Sequence, residues 1–300
     1  MWQRVKKLGC YLLIILLLPY VVTVFVNGPG LVSSSQVDSA GVRENTGEGE
    51  VEMSLEEYCI GVLARAIPAD YEEEALKAQA VLVRTDIYGK LQEGGTNAVL
   101  EEGFWDKEEM EEAWGLAGYR TSYKRLERAW KETEGQVLTY EGALARTPFF
   151  RLSNGSTRDG KEVLGEDCPY LKIVDCPLDM EAVEQLQTVT LEEDLDAEVE
   201  KVDTAGYALS VRVGKETVSG EEFREAYHLA SSCFTLQKYE GTLRITTRGV
   251  GHGLGMSQYT AGKMAEEGST FEEILIFFFP GTALQEVAQI VDLGLSLIHI

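Results

Sequence analysis

The chain has 300 residues, 44% of them hydrophobic, which allows one sizeable core with a smaller lobe and argues for one or two domains. Its formal net charge is -23, from 50 acidic against 27 basic side chains. That balance argues against a nucleic-acid partner, because no basic stripe is available to displace counterions from phosphates, and the acidity reads as a solvated surface.

Arg4, Lys6 and Lys7 precede an uncharged, mostly apolar run from Leu8 to Val26. A helix of that length spans a bilayer, and the basic flank orients its short end to the cytoplasm. No small-residue cleavage pattern follows, so residues 1–28 read as a cytoplasmic stub and an uncleaved signal anchor, with the rest of the chain extracytoplasmic. Residues 29–50, rich in Gly, Ser, Val and charge, read as a linker, and the folded domain is expected over 51–290.

The domain reads as a single mixed α+β unit: a helical first part, a hairpin and sheet in the middle, then a Gly-rich loop followed by helices. Ser54 with Glu57 is a capping-box pattern, opening a helix that runs toward Ile67 and Pro68. A second helix is predicted over Glu72 to Gln92, where Ala75, Ala78, Leu82 and Thr85 recur at helical spacing. Two more are predicted near Lys107 to Leu116 and Tyr123 to Glu132. A hairpin follows, Gln136 to Tyr140 and Ala143 to Phe150, turning at Glu141 and Gly142. The strongly acidic stretch from Met180 to Thr204 is expected as an exposed excursion. Strands are predicted at Ala208 to Val213 and Leu243 to Thr247, and an apolar helix at Thr270 to Phe279, stopped by Pro280 and Gly281. The terminal LSLIHI, Leu295 to Ile300, resembles a translated sequencing-library adapter, so His299 is left out of the functional reading.

Cys59, Cys168, Cys176 and Cys233 lie beyond the anchor, where disulfides are permitted, and four cysteines allow three connectivities. No C-x-x-C pair or His/Cys cluster at zinc spacing occurs, so neither a metal nor another cofactor is expected. Two segments carry chemistry. EALKAQAVLVRT, Glu74 to Thr85, sets Lys77 and Arg84 seven apart on one helical face beside Gln79. Those cations suit carboxylates or sugar hydroxyls, or salt bridges to Glu73 and Glu74. GVGHGLGMSQYTAG, Gly249 to Gly262, surrounds His252 with alternating glycines, a frame that permits close approach of a ligand to main chain and imidazole.

These two segments, with FEEILIFFFPGT behind them and TEGQVLTYEG, FFRLSNGSTRDGKEVLG, CPYLKIVDCPLD and SGEEFREAYHLASSCFTL between, resemble the stage II sporulation protein D and amidase-enhancer family from about Val51 to Thr282. The resemblance implies a peptidoglycan lytic transglycosylase. In such an enzyme one glutamic acid protonates the glycosidic oxygen and then helps the muramic hydroxyl close an anhydro ring. It also implies glycan strands as substrate and a cell-wall amidase as partner. Carried over phrase by phrase, it places Lys77, Gln79, Arg84, Ser153, Thr157, Ser257 and Gln258 in a substrate groove, with His252 as proton carrier or hydrogen-bond partner. Tyr259 and Phe277 to Phe279 are available to stack on sugars but suit the core equally.

The chain departs from the family pattern at its centre. GVLARAIP puts Ala66 where the family writes its glutamate, and FFRLSNGST has Arg151 and Asn154 where many relatives carry His and Cys. Three explanations stay open: a groove that binds glycan without cutting it, a displaced acid such as Glu57, Asp70 or Glu72, or a sequence error at Ala66. A different class is a membrane-tethered scaffold that docks a protein partner through its acidic face.

Overall fold

The computed structural model describes residues 41–46, 49–94, 100, 103–166, 168–192, 195–290 and 297–299, with the backbone alone for 41–52 and 297–299. The apolar run Leu8 to Val26 lies outside these residues. Among the described residues no helix is long and apolar enough to cross a membrane. The domain is mixed α+β.

Strands β1 (Gly41–Thr46) and β2 (Gly49–Ser54) pair antiparallel, so the second half of the expected linker is strand. Helix α1 (Leu55–Ala66) opens on the expected capping box: the Ser54 side chain accepts from the Glu57 amide, and Glu57 accepts from the Ser54 amide. It stops at Ile67, because the residue before Pro68 is pushed out of the helical region. Helix α2 (Glu73–Gly94) follows and forms the axis of the domain. One side of it, Leu76, Ala80, Val83, Ile87 and Leu91, packs with α1 and with α3 (Lys107–Glu132) in one core. The other side, Ala75, Ala78, Val81 and Leu82, packs in a second core with the C-terminal helices described below. A helix apolar all round is a buried one.

Helix α3 replaces the two predicted helices. They run together across a kink at Gly115, whose φ of 71° only glycine adopts freely. Strand β3 (Gln136–Tyr140) turns through Glu141 and Gly142, both at positive φ, into β4 (Ala143–Leu144). The predicted second arm is too long: β5 (Phe149–Phe150) leaves the hairpin and pairs with a later strand instead. Helix α4 (Gly160–Leu164) is a single short turn capped by Asp159.

The acidic stretch contains two strands, β6 (Leu186–Leu191) and β7 (Ala197–Val202), which corrects the expected excursion. Val189, Leu191, Ala197 and Val199 point inward at alternate positions, spaced by Thr190 in β6 and by Glu198 in β7. With β8 (Ala208–Val213), β9 (Glu216–Ser219), α5 (Gly220–Ala226), β10 (Phe234–Tyr239) and β11 (Thr242–Arg248) they make a small lobe. Two three-stranded sheets, ordered β7-β8-β9 and β10-β11-β6, share a core around Phe223, Val211, Leu243 and Ile245.

The chain then returns to the main body through the Gly-rich loop. Strand β12 (Met256–Ser257) pairs parallel with β5, and helices α6 (Gln258–Glu266) and α7 (Phe271–Phe278) pack on α2. Strand β13 (Ala283–Glu286) closes the sheet on β3. The terminal β14 (Leu297–His299) runs parallel to β1.

Candidate functional site

The end of α1, the start of α2 and α6 meet around one main-chain oxygen. Gln258 Nε2 donates to the Ala66 carbonyl at 2.7 Å and to Gln79 Oε1 at 3.0 Å. Both glutamines are buried. Gln79 Nε2, wholly buried beside this pair, has no hydrogen-bond partner. Ala66, Gln79 and Gln258 therefore come together although they are scattered along the sequence.

Immediately beyond Ala66 lies an open cleft of about 410 Å³. Pro68, Asp70, Tyr71 and Glu72 form one wall, from the turn between α1 and α2. Tyr259, Gly262, Lys263 and Glu266, all on α6, form the other, and Arg151 crosses between them. Arg151 donates to the Tyr71 hydroxyl and pairs with Glu184 at 3.2 Å. Lys263 pairs with Glu266 at 2.7 Å and sits 5.6 Å from the centre of the Tyr259 ring. Burial pushes the Tyr71 phenol up to about 12, against the lowering pull of Arg151. The cleft thus offers two tyrosines, two cations already neutralised by their own carboxylates, and the side chains of Asp70 and Glu72. Glu57 is elsewhere, committed to the N-cap of α1 at the other end of the helix.

What holds α6 in place is a residue that sequence reasoning passed over. Asp179, wholly buried, accepts from the Ser153 amide at 2.7 Å, the Ser257 hydroxyl at 2.7 Å and the Thr260 hydroxyl at 2.6 Å. Ser257 caps α6 and Thr260 lies in its first turn, so the carboxylate also faces the positive end of that helix. Asp179 is one of 50 acidic residues, and nothing local in CPLD marks it as the buried one. Its pairing requires three segments far apart in sequence. Arg158 was missed for the same reason: buried, it bonds to Asp203 at 2.5 Å, Glu221 at 2.9 Å and the His252 carbonyl at 2.9 Å, pinning the small lobe to the Gly-rich loop.

Ser153 and Ser257 meet at Asp179, beneath the cleft, and both are wholly buried. The remaining expected site residues lie apart. Lys77 bridges Glu74 at 2.8 Å and Glu132 at 2.7 Å. Arg84 is wholly buried, donates to the carbonyls of Thr133 and Trp130 at 2.7 and 2.8 Å, and stacks on Trp130, where it caps the C-terminus of α3. Thr157 bonds to the backbone of Lys172 and Val174.

His252 stands in a different hollow, of about 500 Å³, lined in part by Thr85, Pro148, Phe149 and Leu254. Its Nδ1 accepts from the Leu254 amide at 3.1 Å. Burial lowers its pKa below the ordinary histidine value, with Arg224 and Arg158 adding to the drop and Glu221 opposing it. The ring packs on Phe150 of β5, 5.8 Å between centres. The alternating glycines have a matching purpose. Gly249 and Gly251 lie at φ of 76° and 107°, where an added Cβ would fall 2.6 Å from the Leu152 carbonyl and 2.8 Å from the Phe150 Cβ. The frame expected to admit a ligand admits the neighbouring strand instead. Tyr259 reaches the cleft, whereas Phe278 and Phe279 are core.

The four described cysteines carry free thiols, and burial pushes Cys176 up to about 12. No group of three or more His, Cys, Asp or Glu able to hold a metal occurs among the described residues.

The model of the family described as stage II sporulation protein matches residues 45–140, from the end of β1 to the end of β3. Over 256 residues the chain is 34% identical to stage II sporulation protein D of Bacillus subtilis (strain 168), covering 77% of this chain and 74% of that protein. The chain belongs to the stage II sporulation protein D family. Its namesake from Bacillus amyloliquefaciens is similar at 33% identity, over 77% of this chain and 74% of the relative. A protein named amidase enhancer, from Bacillus subtilis (strain 168), is 25% identical over 75% of this chain and 40% of its own length. The matched range of the family model contains α1, α2 and Ala66, but neither Asp179 nor α6, which forms the second wall of the cleft.

Proposed function

We propose that this protein is a cell-wall factor that binds peptidoglycan glycan strands in the cleft beyond Ala66, without cutting them. The observation that carries the reading is the frame around Ala66. Gln258, which also donates to Gln79, grips the end of α1 two residues before the Pro68 wall of a cleft with two tyrosines, yet the side chain at 66 is a methyl group and cannot move a proton. A buried amide donor with no partner costs about 1–3 kcal/mol, so the free Gln79 Nε2 beside Ala66 fits a site that once held an acceptor. The lost acid would lower the rate by on the order of a hundred- to ten-thousand-fold.

The run Leu8 to Val26 anchors the chain in the cell membrane with the domain outside, facing the wall. Similarity to an amidase enhancer supports a cell-wall amidase as partner, with this chain holding the strand while the partner removes peptides. A second reading, a working lytic transglycosylase with a displaced acid, is favoured by the position of Asp70 and Glu72 in the cleft wall.

The test incubates the full chain in detergent, and its Ala66→Glu variant, with peptide-stripped glycan strands, and scores anhydromuramic ends by mass spectrometry. Products from the variant alone are expected. Products from both would select the displaced acid, and strands bound by neither protein would favour the scaffold reading.

A further inference from the structure

The walls of the cleft beyond Ala66 leave its charge unbalanced. Among the described residues three carboxylates line it, on Asp70, Glu72 and Glu266, against the two cations Arg151 and Lys263. Both cations are committed, Arg151 to Glu184 from outside the lining at 3.2 Å and Lys263 to Glu266 at 2.7 Å. Asp70 and Glu72 are exposed, and their side chains make neither an ion pair nor a hydrogen bond among the described residues. The fold does not use them. Glu73 and Glu74 supply the acid in the first turn of α2 and carry the ion pairs there, to Arg128 and Lys77, while Asp70 lies before the helix in the turn where the Tyr71 amide donates to the Pro68 carbonyl. The half-buried Tyr71 lies between the two free carboxylates in sequence, and the half-buried Tyr259 stands on the facing wall. Burial raises the Tyr71 phenol, and of the charges around it Arg151 pulls it down while Glu184, Asp70 and Asp179 push it up. An aromatic face beside unpaired carboxylates is a receptor for an ammonium group, because the ring attracts the cation and the carboxylate accepts its N–H bonds. A strand whose only charges are carboxylates meets like charge in the same place.

We infer that the cleft selects glycan strands that carry free primary amines, held by Asp70 and Glu72 beside the rings of Tyr71 and Tyr259. The inference rests on the glycan-binding reading of the cleft and names the strands that site prefers. Two sources supply such an amine: a glucosamine residue that has lost its acetyl group, and the side-chain amine of an uncrosslinked stem peptide. Each ammonium brings three donors to carboxylates that have no partner of their own.

The test titrates the full chain in detergent with three soluble preparations: strands stripped of peptide and fully N-acetylated, stripped strands partly de-N-acetylated, and fully N-acetylated strands whose stem peptides carry free amines. The wild type should bind at least one amine-bearing preparation about fivefold more tightly than the first, and the preference should weaken as salt rises. Which of the two it prefers identifies the source of the amine, and treatment with acetic anhydride should abolish the preference. Asp70→Asn with Glu72→Gln should bind all three preparations alike and melt at the wild-type temperature, since neither carboxylate holds part of the fold. Glu112→Gln with Glu216→Gln removes the same charge from exposed positions outside the cleft lining and should keep the preference. Equal wild-type affinity for all three preparations overturns the inference, as does a preference that persists without Asp70 and Glu72 or vanishes without Glu112 and Glu216. In each of these cases the cleft reading stands if Tyr259→Ala weakens binding of every preparation. Strands bound in no form, or bound equally well by Tyr259→Ala, overturn both.

Discussion

Asp179→Ala removes the acceptor for three donors in a place water does not reach. The Ser257 and Thr260 hydroxyls can rotate toward other acceptors, but the Ser153 amide cannot turn and would be buried unpaired, at a cost of about 1–3 kcal/mol. Hydrogen bonds to a charged group contribute about 1.5–3 kcal/mol each, and the desolvation penalty that the carboxylate no longer pays offsets part of their loss. The net destabilisation should be about 3–5 kcal/mol, which for a body of this size lowers the melting temperature by roughly 10 °C. Asp179→Asn is the discriminating control. Its oxygen can take the position that serves Ser153 and Ser257, while its amide meets Thr260, whose hydroxyl can turn to accept. It should lose only about 1 kcal/mol, or about 3 °C. Thermal unfolding of the full chain in detergent, followed by circular dichroism, reads both. Alanine and asparagine variants that melt together, or an alanine variant at the wild-type temperature, would refute the claim that this carboxylate fastens α6 to the loop at Ser153.

Gly249→Ala should cost more than about 2 kcal/mol, combining a left-handed φ with a Cβ pressed on the Leu152 carbonyl, and should show as a lower denaturant midpoint. Arg84→Lys cannot keep both carbonyl bonds and the Trp130 stack, so it should destabilise by about 2–3 kcal/mol while glycan capture per folded molecule stays unchanged. His252 has a folded pKa below its unfolded value, so the unfolded chain binds the proton first as pH falls. Its contribution is therefore present above about pH 6.5 and lost below it, and the wild type should lose more stability between about pH 7 and 5 than His252→Asn, which keeps an acceptor for the Leu254 amide. Parallel pH curves for the two proteins would contradict that account.

Elements with a local physical signature were legible in the sequence. The capping box at Ser54, the stop before Pro68, the Glu141-Gly142 turn and the helix ahead of Pro280 each depend on residues within a few positions. The strands at 186–202 were not read because each is only six residues long and the acids from Glu192 to Glu200, in the segment between them and in β7, dominate the stretch. The division of Phe149 and Phe150 from the hairpin was hidden because their partner strand is more than a hundred residues away. The site divided the same way. Gln79 and Gln258, expected in a groove, meet at the Ala66 carbonyl outside the cleft lining, and the motif that held His252 gave no sign that its ring faces another hollow. Glycines at alternate positions signal a close approach without saying whether a ligand or a strand makes it.

The same geometry makes the frame around residue 66 indifferent to its side chain. Gln258 bonds to the main-chain oxygen of residue 66, which every amino acid supplies, and Asp179 fixes α6 through groups on 153, 257 and 260. No bond in that frame depends on the side chain at 66. Exchange of the methyl group there for a larger side chain leaves those bonds in place, in a domain with two cores flanking α2. A frame built on backbone is also why Ala66→Glu is a clean probe. Residue 66 is only half-buried, so the variant should fold as the parent does, and any new chemistry would belong to the one group added.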